Sequence, residues 1–245
     1  MNHPPVVLVT GGARRVGAAI VRHLHASGCD VAIHYRRSAD EATALAEDLE
    51  ATRPGSVAVF DGALEDDETP ARLVAGVLAH FGRLDGLVNN ASAFYPTPVG
   101  TTTPAQWDDL FAANARAPFF LCQAAAPALR DAGGAIVNIV DIYGERPLEG
   151  HALYSMAKAS LAMMTLALAK DLAPAVRVNA VAPGAILWPE SGKPEEAAEA
   201  LIAKTPLGRK GEPLEVAEAV RWLLMDARYT TGQIVRTDGG RALTI

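Results

Sequence analysis

Several residue types and patterns are scarce in this chain, and each scarcity excludes a class of protein. Only two cysteines, Cys29 and Cys122, occur in 245 residues. Both lie in apolar stretches without metal-ligand spacing, so we expect reduced, buried thiols rather than a disulfide framework. Basic residues are also few: 22 Lys and Arg against 28 Asp and Glu give a net charge of −6. That balance argues against a general binder of nucleic acid or of membrane surfaces.

Targeting and metal-site signals are missing as well. The first five residues do not form a basic segment followed by an apolar one, and no apolar run reaches the length of about 18 residues that crosses a bilayer. Neither His-Glu-x-x-His nor Gly-x-Ser-x-Gly occurs, so metal-hydrolase and serine-hydrolase chemistry find no support and no metal is expected. We therefore expect a cytoplasmic protein whose partner is a small molecule.

What the sequence does contain is a regular alternation of strand and helix patterns. Apolar runs predict seven strands, at 5–10, 30–35, 56–60, 84–89, 135–140, 176–182 and 233–237. Helical patterns lie between them, at 16–27, 38–53, 69–81, 104–131, 153–173 and 214–225. This order predicts one α/β domain over residues 1–245, a doubly wound, seven-stranded parallel sheet of the Rossmann type with helices on both faces. Residues 185–213 depart from the rhythm, with one short helix near 195–204, and predict a substrate loop or lid.

Two details of the helices are also predicted. Ser38 and Glu41 have the spacing of a capping box at the start of the second helix. The long segment 104–131 is expected to form two helices with a break near Pro118.

The first strand-to-helix turn, from Thr10 to Gly17, is a candidate phosphate site. Glycines such as Gly11 and Gly17 let backbone amides and a helix N-terminus approach a pyrophosphate. A tight structural turn is the alternative interpretation.

Four arginines lie near this turn: Arg14, Arg15, Arg36 and Arg37. The second strand ends His-Tyr-Arg-Arg-Ser at 34–38, where an NAD-binding fold commonly carries an acidic residue for the ribose 2′-hydroxyl. Arginines and a serine suit a 2′-phosphate instead, so the sequence favours NADP over NAD. A solvated cluster of charges is the alternative.

A possible catalytic trio lies further along the chain. Tyr154 and Lys158 are four residues apart on a predicted helix and so project from the same face. Asp141 follows the preceding strand. Lys158 is expected to favour the tyrosinate form, bringing the Tyr154 pKa down from about 10 into a useful range for proton transfer.

Several further motifs occur along the chain, in this order: Thr10-Gly11 with Gly17, Asn89-Asn90-Ala91, Asn114, Tyr154-x-x-x-Lys158, Asn179 and Pro183-Gly184. In this order they resemble the short-chain dehydrogenase/reductase family over nearly the whole chain. Four features are narrower: Arg15 in place of that family's middle glycine, His34-Tyr35, the run from Asn89 to Pro98, and Asp141 where the wider family usually has serine. By these features the chain looks most like the pteridine reductases, including the bacterial dihydromonapterin reductase type.

The resemblance implies NADPH as cofactor, a pterin as substrate, a place in folate metabolism and a homotetramer. The cofactor would be held by Gly11, Arg14, Arg15, Val16, Gly17, His34, Tyr35, Arg36, Arg37, Ser38, Asp61, Gly62, Asn90, Ala91, Ser92, Lys158, Pro183 and Gly184. The pterin would contact Arg15, Ser92, Phe94, Asp141, Tyr154, Leu187, Trp188 and Pro189, stacked between the nicotinamide and Phe94. Tyr154, assisted by Lys158 and Asp141, would donate the proton, and Asn114 would order a helix kink and a water leading to Lys158.

Alternatives remain open on the sequence alone. Phe94 could simply pack a loop, and residues 186–189 could be an anchored loop rather than a substrate wall. The protein could be a carbonyl reductase of the same family, such as a 3-oxoacyl-[acyl-carrier-protein] reductase, although Asp141 and Arg15 count against it. A regulatory protein that senses dinucleotides without turnover is a third hypothesis, but it would be expected to have a broken Tyr/Lys pair.

Overall fold

The computed structural model describes residues 3–188 and 194–245 and contains one parallel sheet. Its strands are β1 Val6–Val9, β2 Asp30–Tyr35, β3 Val57–Asp61, β4 Gly86–Asn89, β5 Ala135–Ile139, β6 Arg177–Pro183 and β7 Ile234–Thr237. They lie in the order β3-β2-β1-β4-β5-β6-β7, and every neighbouring pair is parallel. The predicted doubly wound sheet is confirmed.

The helices alternate with the strands as the periodicity predicted. They are α1 Arg15–Ala26, α2 Ala39–Glu50, α3 Thr69–Phe81, α4 Pro104–Phe111, α5 Ala117–Ala132, α6 Ala152–Asp171, α7 Glu195–Ala203 and α8 Pro213–Met225. Short 3-10 turns cover Ile142–Gly144 and Arg241–Leu243. The segment 185–213 therefore contains α7, and its role as a lid stays a prediction, as does the single-domain organisation.

Two apolar cores cover the two faces of the sheet. Alternate residues of β1 enter opposite cores, because successive side chains of a strand point to opposite faces. Val7 and Val9 pack with α1, α2 and α8 on one side, and Val6 and Leu8 pack with α3 and α5 on the other. Cys29 and Cys122 are both free and buried, one in each core, which confirms the prediction of reduced thiols.

The predicted break near Pro118 is present as a π-helical turn over Ala112–Arg116, which joins α4 to α5 without a gap. Pro118 follows this turn as the second residue of α5 and, without an N–H, cannot donate to a carbonyl of the preceding turn. Asn114 lies within the π turn, and its Nδ2 donates to the carbonyls of Leu110 and Ala93, both at 2.9 Å. The water that Asn114 was expected to order stays a prediction.

The predicted capping box at α2 was wrong, although the helix begins next to Ser38. Ser38 makes no side-chain capping bond. Glu41, the other half of the expected box, instead pairs with Arg14 at 3.5 Å. The Glu41 carboxylate therefore forms an ion pair with Arg14, outside α2, instead of capping the start of the helix.

Helix α6 carries the candidate catalytic pair and is anchored to the sheet by buried polar groups. Asn138 of β5 donates to the Thr165 hydroxyl of α6 at 2.9 Å and accepts from Asn89 of β4 at 2.8 Å. Contrary to the sequence expectation, α6 is long and apolar enough to cross a membrane by length and composition alone. A buried core helix passes the same test, and the residues of α6 that face the sheet include the charged Lys158.

Candidate active site

The strand-to-helix turn after β1 is clamped to the end of β4. Gly11 has a left-handed φ of +58°, and a Cβ on Gly17 would lie 2.1 Å from the Gly11 carbonyl oxygen. The side chain of Asn90 donates to the carbonyls of Thr10 and Gly11, at 2.9 and 3.0 Å. In return, the Thr10 hydroxyl accepts from the backbone amides of Asn90 and Ala91. Both glycines are therefore required by close contacts of the backbone.

A cavity of about 440 Å³ opens beyond this turn, at the carboxyl ends of β1, β2 and β4. Strand order reverses beside β1, and this is where ligands bind in open α/β sheets. The cavity is lined by Gly11, Ala13, Arg14, Arg15, Val16, Gly17, His34, Tyr35, Arg36, Arg37, Ser38, Leu64, Glu65, Asn90, Ala91, Ser92, Ala93 and Ala113. Most of the residues predicted to hold the cofactor are thus brought together.

Five of the predicted cofactor residues do not line the cavity. Asp61 and Gly62 lie beside it at the end of β3, and Pro183 and Gly184 end β6. Gly184 packs against Asp238, whose Cα would be 2.8 Å from an added Cβ, and its amide donates to Thr237. Lys158 is buried on α6.

The arginines at the cavity are accompanied by acidic residues that the sequence reading missed. Arg14 pairs with Glu41 of α2, and Arg36 pairs with Glu65 from the loop between β3 and α3. The absence of an acid at the end of β2 was read correctly from the sequence, but tertiary structure brings carboxylates from two other segments. No local signal could have revealed them.

His34 is a brace beneath the cavity. Its Nδ1 accepts from the Gly11 amide at 3.3 Å and its Nε2 lies 3.0 Å from the Gly62 carbonyl oxygen. Because a ring nitrogen that accepts cannot carry a proton, the proton must be on Nε2, which donates to Gly62. Burial lowers the pKa of His34, which keeps the ring in this neutral form.

The candidate catalytic trio comes together as predicted. The Tyr154 hydroxyl donates to Oδ2 of Asp141 at 2.7 Å, and the other carboxyl oxygen accepts from the Tyr143 amide at 2.9 Å. Lys158 donates to the Ile139 carbonyl at 2.9 Å, and its Nζ lies 5.8 Å from the centre of the Tyr154 ring. Tyr154 is 5% exposed and Lys158 2%, so all of these interactions occur largely out of water.

The electrostatics of the trio differ from the sequence expectation. Burial, reinforced by the charge and the hydrogen bond of Asp141, raises the pKa of Tyr154 well above 10 instead of lowering it. Burial also raises the pKa of Asp141 and lowers the pKa of Lys158 to about 8. The expectation that Lys158 governs the tyrosine was wrong because the carboxyl group is in direct contact with the phenol and the ammonium is not. The phenol is therefore firmly protonated at neutral pH.

An aromatic and a hydroxyl side chain complete the wall beside Tyr154. The Phe94 ring packs edge-to-face on Tyr154, with centroids 4.7 Å apart, and stacks on the half-buried His151 at 4.8 Å. Phe94 is 47% exposed, so part of its ring surface is left accessible beside Tyr154. The Ser92 hydroxyl donates to Oδ1 of Asn114 at 2.6 Å. Asn114 thereby holds the segment that carries both Ser92 and Phe94.

Arg15 joins the turn to the predicted lid. Its guanidinium donates to the Trp188 carbonyl at 2.9 Å, and its backbone has a left-handed φ of +54°, the only positive φ at a non-glycine residue in the described ranges. Such a backbone costs about 1–2 kcal/mol for a residue with a Cβ. Leu187 packs against the core of the α1 face, and the predicted substrate residue Pro189 lies outside the described residues.

The backbone amides and arginine side chains around the cavity fit a nicotinamide dinucleotide. The first turn of α1, at Val16 and Gly17, presents backbone amides without intrahelical acceptors to the cavity. Arginines beside them supply the positive charge that phosphates require. Among the described residues, no group of three or more His, Cys, Asp or Glu could hold a metal ion.

Comparisons with known proteins agree with this geometry. A family model described as "Enoyl-(Acyl carrier protein) reductase" matches residues 11–242. The chain belongs to the short-chain dehydrogenase/reductase family. Pteridine reductase 1 of Leishmania tarentolae is 37% identical to it, over 98% of this chain and 97% of that protein. A 3-oxoacyl-[acyl-carrier-protein] reductase of Staphylococcus aureus (strain N315) is 34% identical, over 95% and 96%.

Membership in this family makes the protein an oxidoreductase that uses a nicotinamide cofactor. Tyr154 and Lys158 stand at the positions of the family's Tyr-x-x-x-Lys motif, and both are present and close together. A regulatory relative with a broken pair is therefore not favoured. The two relatives are nearly equal in identity, so the substrate must be inferred from the site itself.

Proposed function

We propose that the protein is an NADPH-dependent pterin reductase that converts a dihydropterin to a tetrahydropterin, with Tyr154 as the proton donor. The observation that carries this proposal is the buried hydrogen bond of 2.7 Å between the Tyr154 hydroxyl and the Asp141 carboxyl group. The wider family that this chain resembles usually has serine at the position of Asp141. A serine hydroxyl suits the polarisation of a carbonyl oxygen, whereas a carboxyl group of raised pKa suits protonation of a ring nitrogen.

The reduction adds one hydride to carbon and one proton to nitrogen of a C=N bond. The cofactor supplies the hydride when it is bound. Tyr154 donates its phenolic proton to the nitrogen, and Asp141 passes a proton taken from solvent back to the tyrosinate across their hydrogen bond. Burial raises the pKa of Asp141, which favours this uptake of a proton. The charge of buried Lys158 stabilises the transient tyrosinate, which is a role in the transition state and not in the resting enzyme.

Substrate recognition rests on Phe94 and Arg15. Phe94 offers a half-exposed aromatic face next to Tyr154, which suits a flat bicyclic ring. Arg15 reaches from the phosphate-binding turn to the lid carbonyl of Trp188, so its guanidinium lies between the cofactor region and the loop that closes the site. Its left-handed backbone is a local cost that a functional role explains.

Cofactor choice follows from the arginines at the 2′-phosphate position. Arg14, Arg36 and Arg37 line the cavity together with Ser38, and bidentate guanidinium groups suit phosphate better than a hydroxyl. We therefore propose NADPH rather than NADH. Tighter binding of NADH than of NADPH would contradict this part of the proposal.

We also propose a cytoplasmic homotetramer. Large apolar side chains on the outer faces of α5 and α6, including Phe119, Phe120, Met163 and Leu166, are 41–64% exposed. Exposed apolar side chains of this size suit burial against a second copy of the chain. Light scattering after size-exclusion chromatography tests the assembly, and a monomer at micromolar concentration would contradict it.

A second candidate function is the reduction of 3-oxoacyl thioesters. Its support is the 34% identity to a 3-oxoacyl-[acyl-carrier-protein] reductase over 95% of the chain. Asp141 in place of serine and Arg15 in place of glycine argue against it.

The deciding experiment measures NADPH oxidation with dihydrobiopterin, dihydromonapterin, dihydrofolate and acetoacetyl thioester as parallel substrates. We expect turnover with at least one pterin, little with the thioester, and a loss of about 100-fold or more in Tyr154→Phe. Circular dichroism of the variant controls for folding. Turnover of the thioester alone would favour the second candidate, and reduction of no pterin would refute the first.

A further inference from the structure

The cavity that receives the 2′-phosphate in the proposed function contains a carboxylate as well as arginines. Glu65 lines the cavity together with Arg36, and its side chain pairs with the Arg36 guanidinium. Glu41 also pairs with an arginine, but it is not part of the cavity wall. Glu65 is therefore the acidic group that a phosphate at Arg36 would meet.

The position of Glu65 is fixed by more than its own ion pair. The guanidinium of Arg116, at the end of the π-helical turn, donates to the Glu65 backbone carbonyl and forms a second bond to Asp67 at 2.8 Å. The backbone of the loop is thus tied to another element next to the cavity. Buried Leu64, the preceding residue, packs into the core on the α3 face. The contacts of Arg116 and Leu64 therefore fix the backbone at Glu65 next to Arg36.

A guanidinium N–H that donates to a carboxylate cannot donate to a phosphate at the same time. The pair uses the Nη2 group of Arg36, so a 2′-phosphate either displaces Glu65 or binds the remaining N–H groups of the guanidinium. In both cases the phosphate and the carboxylate lie close together, and their like charges repel. A 2′-hydroxyl imposes no such cost. Glu65 therefore weakens binding of a 2′-phosphate, whereas the arginines strengthen it. It affects the affinity for NADPH far more than the affinity for NADH.

We propose that Glu65 is a specificity-determining residue that holds Arg36 in the free enzyme and limits its preference for the 2′-phosphorylated cofactor. This inference rests on the proposed use of NADPH. It gives the loop between β3 and α3 a role in setting how tightly NADPH is bound and how fast NADP⁺ leaves. The Glu65 side chain is 31% exposed, so water screens the repulsion only in part.

The test compares Glu65→Gln with Glu68→Gln. Both variants remove one negative charge from the same loop, but Glu68 is exposed and lies outside the cavity wall. Calorimetric titrations use NADPH, NADH, adenosine 2′,5′-bisphosphate and adenosine 5′-monophosphate. In Glu65→Gln we expect NADPH and the bisphosphate to bind about five-fold more tightly, equivalent to about 1 kcal/mol, and the ligands without a 2′-phosphate to change less than two-fold. Glu68→Gln should change all four less than two-fold.

The outcomes separate this inference from the proposed function. A wild-type protein that binds NADPH no more tightly than NADH overturns the proposed use of NADPH. A clear wild-type preference that Glu65→Gln fails to increase, or an equal gain for ligands with and without the 2′-phosphate, overturns the role of Glu65. If Glu65→Gln does not fold, Glu65→Asp withdraws the carboxylate by one methylene and should give a smaller gain of the same selectivity. No selective gain in Glu65→Asp then overturns the inference.

Discussion

Replacing Asp141 with asparagine separates the proton chemistry of the site from its shape. Asparagine has nearly the same volume, but it has one acceptor oxygen where Asp141 uses two, so it can keep the bond from the Tyr154 hydroxyl or the bond from the Tyr143 amide, not both. It cannot carry or pass on a proton. The perturbation therefore removes the proton chemistry and one acceptor while nearly preserving the volume of the side chain.

The size of the effect follows from the contact. A hydrogen bond to a charged acceptor contributes about 1.5–3 kcal/mol and one to a neutral acceptor about 0.5–1.5, so weakening the retained bond costs at most about 2.5 kcal/mol. The donor left without an acceptor costs about 1–3 kcal/mol more. The variant no longer buries a carboxyl group, and this offsets the loss. Turnover of a pterin has no such compensation. Loss of a positioned proton source lowers rates by about 100- to 10,000-fold, and we expect kcat for Asp141→Asn to fall within this range.

The dependence on pH has a defined sign. The pKa of Asp141 is raised above its ordinary 3.8 by burial, so the folded protein prefers the protonated carboxyl, and that contribution to stability is lost as pH rises through the raised pKa. Asp141→Asn has no ionisable group at this position, so it does not lose stability in this way as pH rises. The free energy of unfolding of Asp141→Asn relative to wild type should therefore increase from pH 4 to pH 8.

The assays are NADPH oxidation with the preferred pterin between pH 5 and 9 and urea unfolding at the same pH values. In wild type, kcat should fall as pH rises through the pKa of the Asp141 carboxyl group. This fall in kcat should be absent in Asp141→Asn. Asp131→Asn, which replaces an exposed acid at the end of α5, is the matched control. If Asp141→Asn keeps more than half of the wild-type kcat with an unchanged pH profile, Asp141 takes no part in proton delivery.

Three further predictions address single contacts. Arg15→Gly relieves the left-handed φ of +54°, so the free energy of unfolding should change by less than about 1 kcal/mol in thermal melts. The kcat/KM for a pterin should fall at least ten-fold. A fully active variant would show that Arg15 is not part of the site. Lys158→Met should abolish turnover. Because burial lowers the pKa of Lys158 from 10.5 to about 8, the same variant should stabilise the fold by up to about 3 kcal/mol at pH 7, where the buried lysine is charged. Equal stabilisation at pH 7 and pH 11 would contradict this account. Gly17→Ala places a Cβ 2.1 Å from the Gly11 carbonyl oxygen, so cofactor affinity measured by calorimetry should drop at least ten-fold, and unchanged affinity would show that the turn can relax.

Element positions were largely predictable from the sequence because hydrophobic periodicity is a local property. The bounds of β2 and α3 match the predicted ranges 30–35 and 69–81 at both ends. The sequence predicted the helix break near Pro118 but not its π-helical form, in which the Asn114 side chain bonds to a carbonyl from another segment as well as to its own helix. The capping box failed for a similar reason, since Glu41 found a partner in Arg14.

The candidate site divides along the same line. The spacing of Tyr154 and Lys158 on one helix, and of the glycines in one turn, is a local property of the chain. The sequence by itself therefore determined the family and the position of the glycine turn. Which charges touch which is decided by tertiary structure. Asp141 rather than Lys158 governs the tyrosine, and Glu65 lies against Arg36, because electrostatic effects depend on burial and on distance in space. A sequence read along its length contains neither quantity.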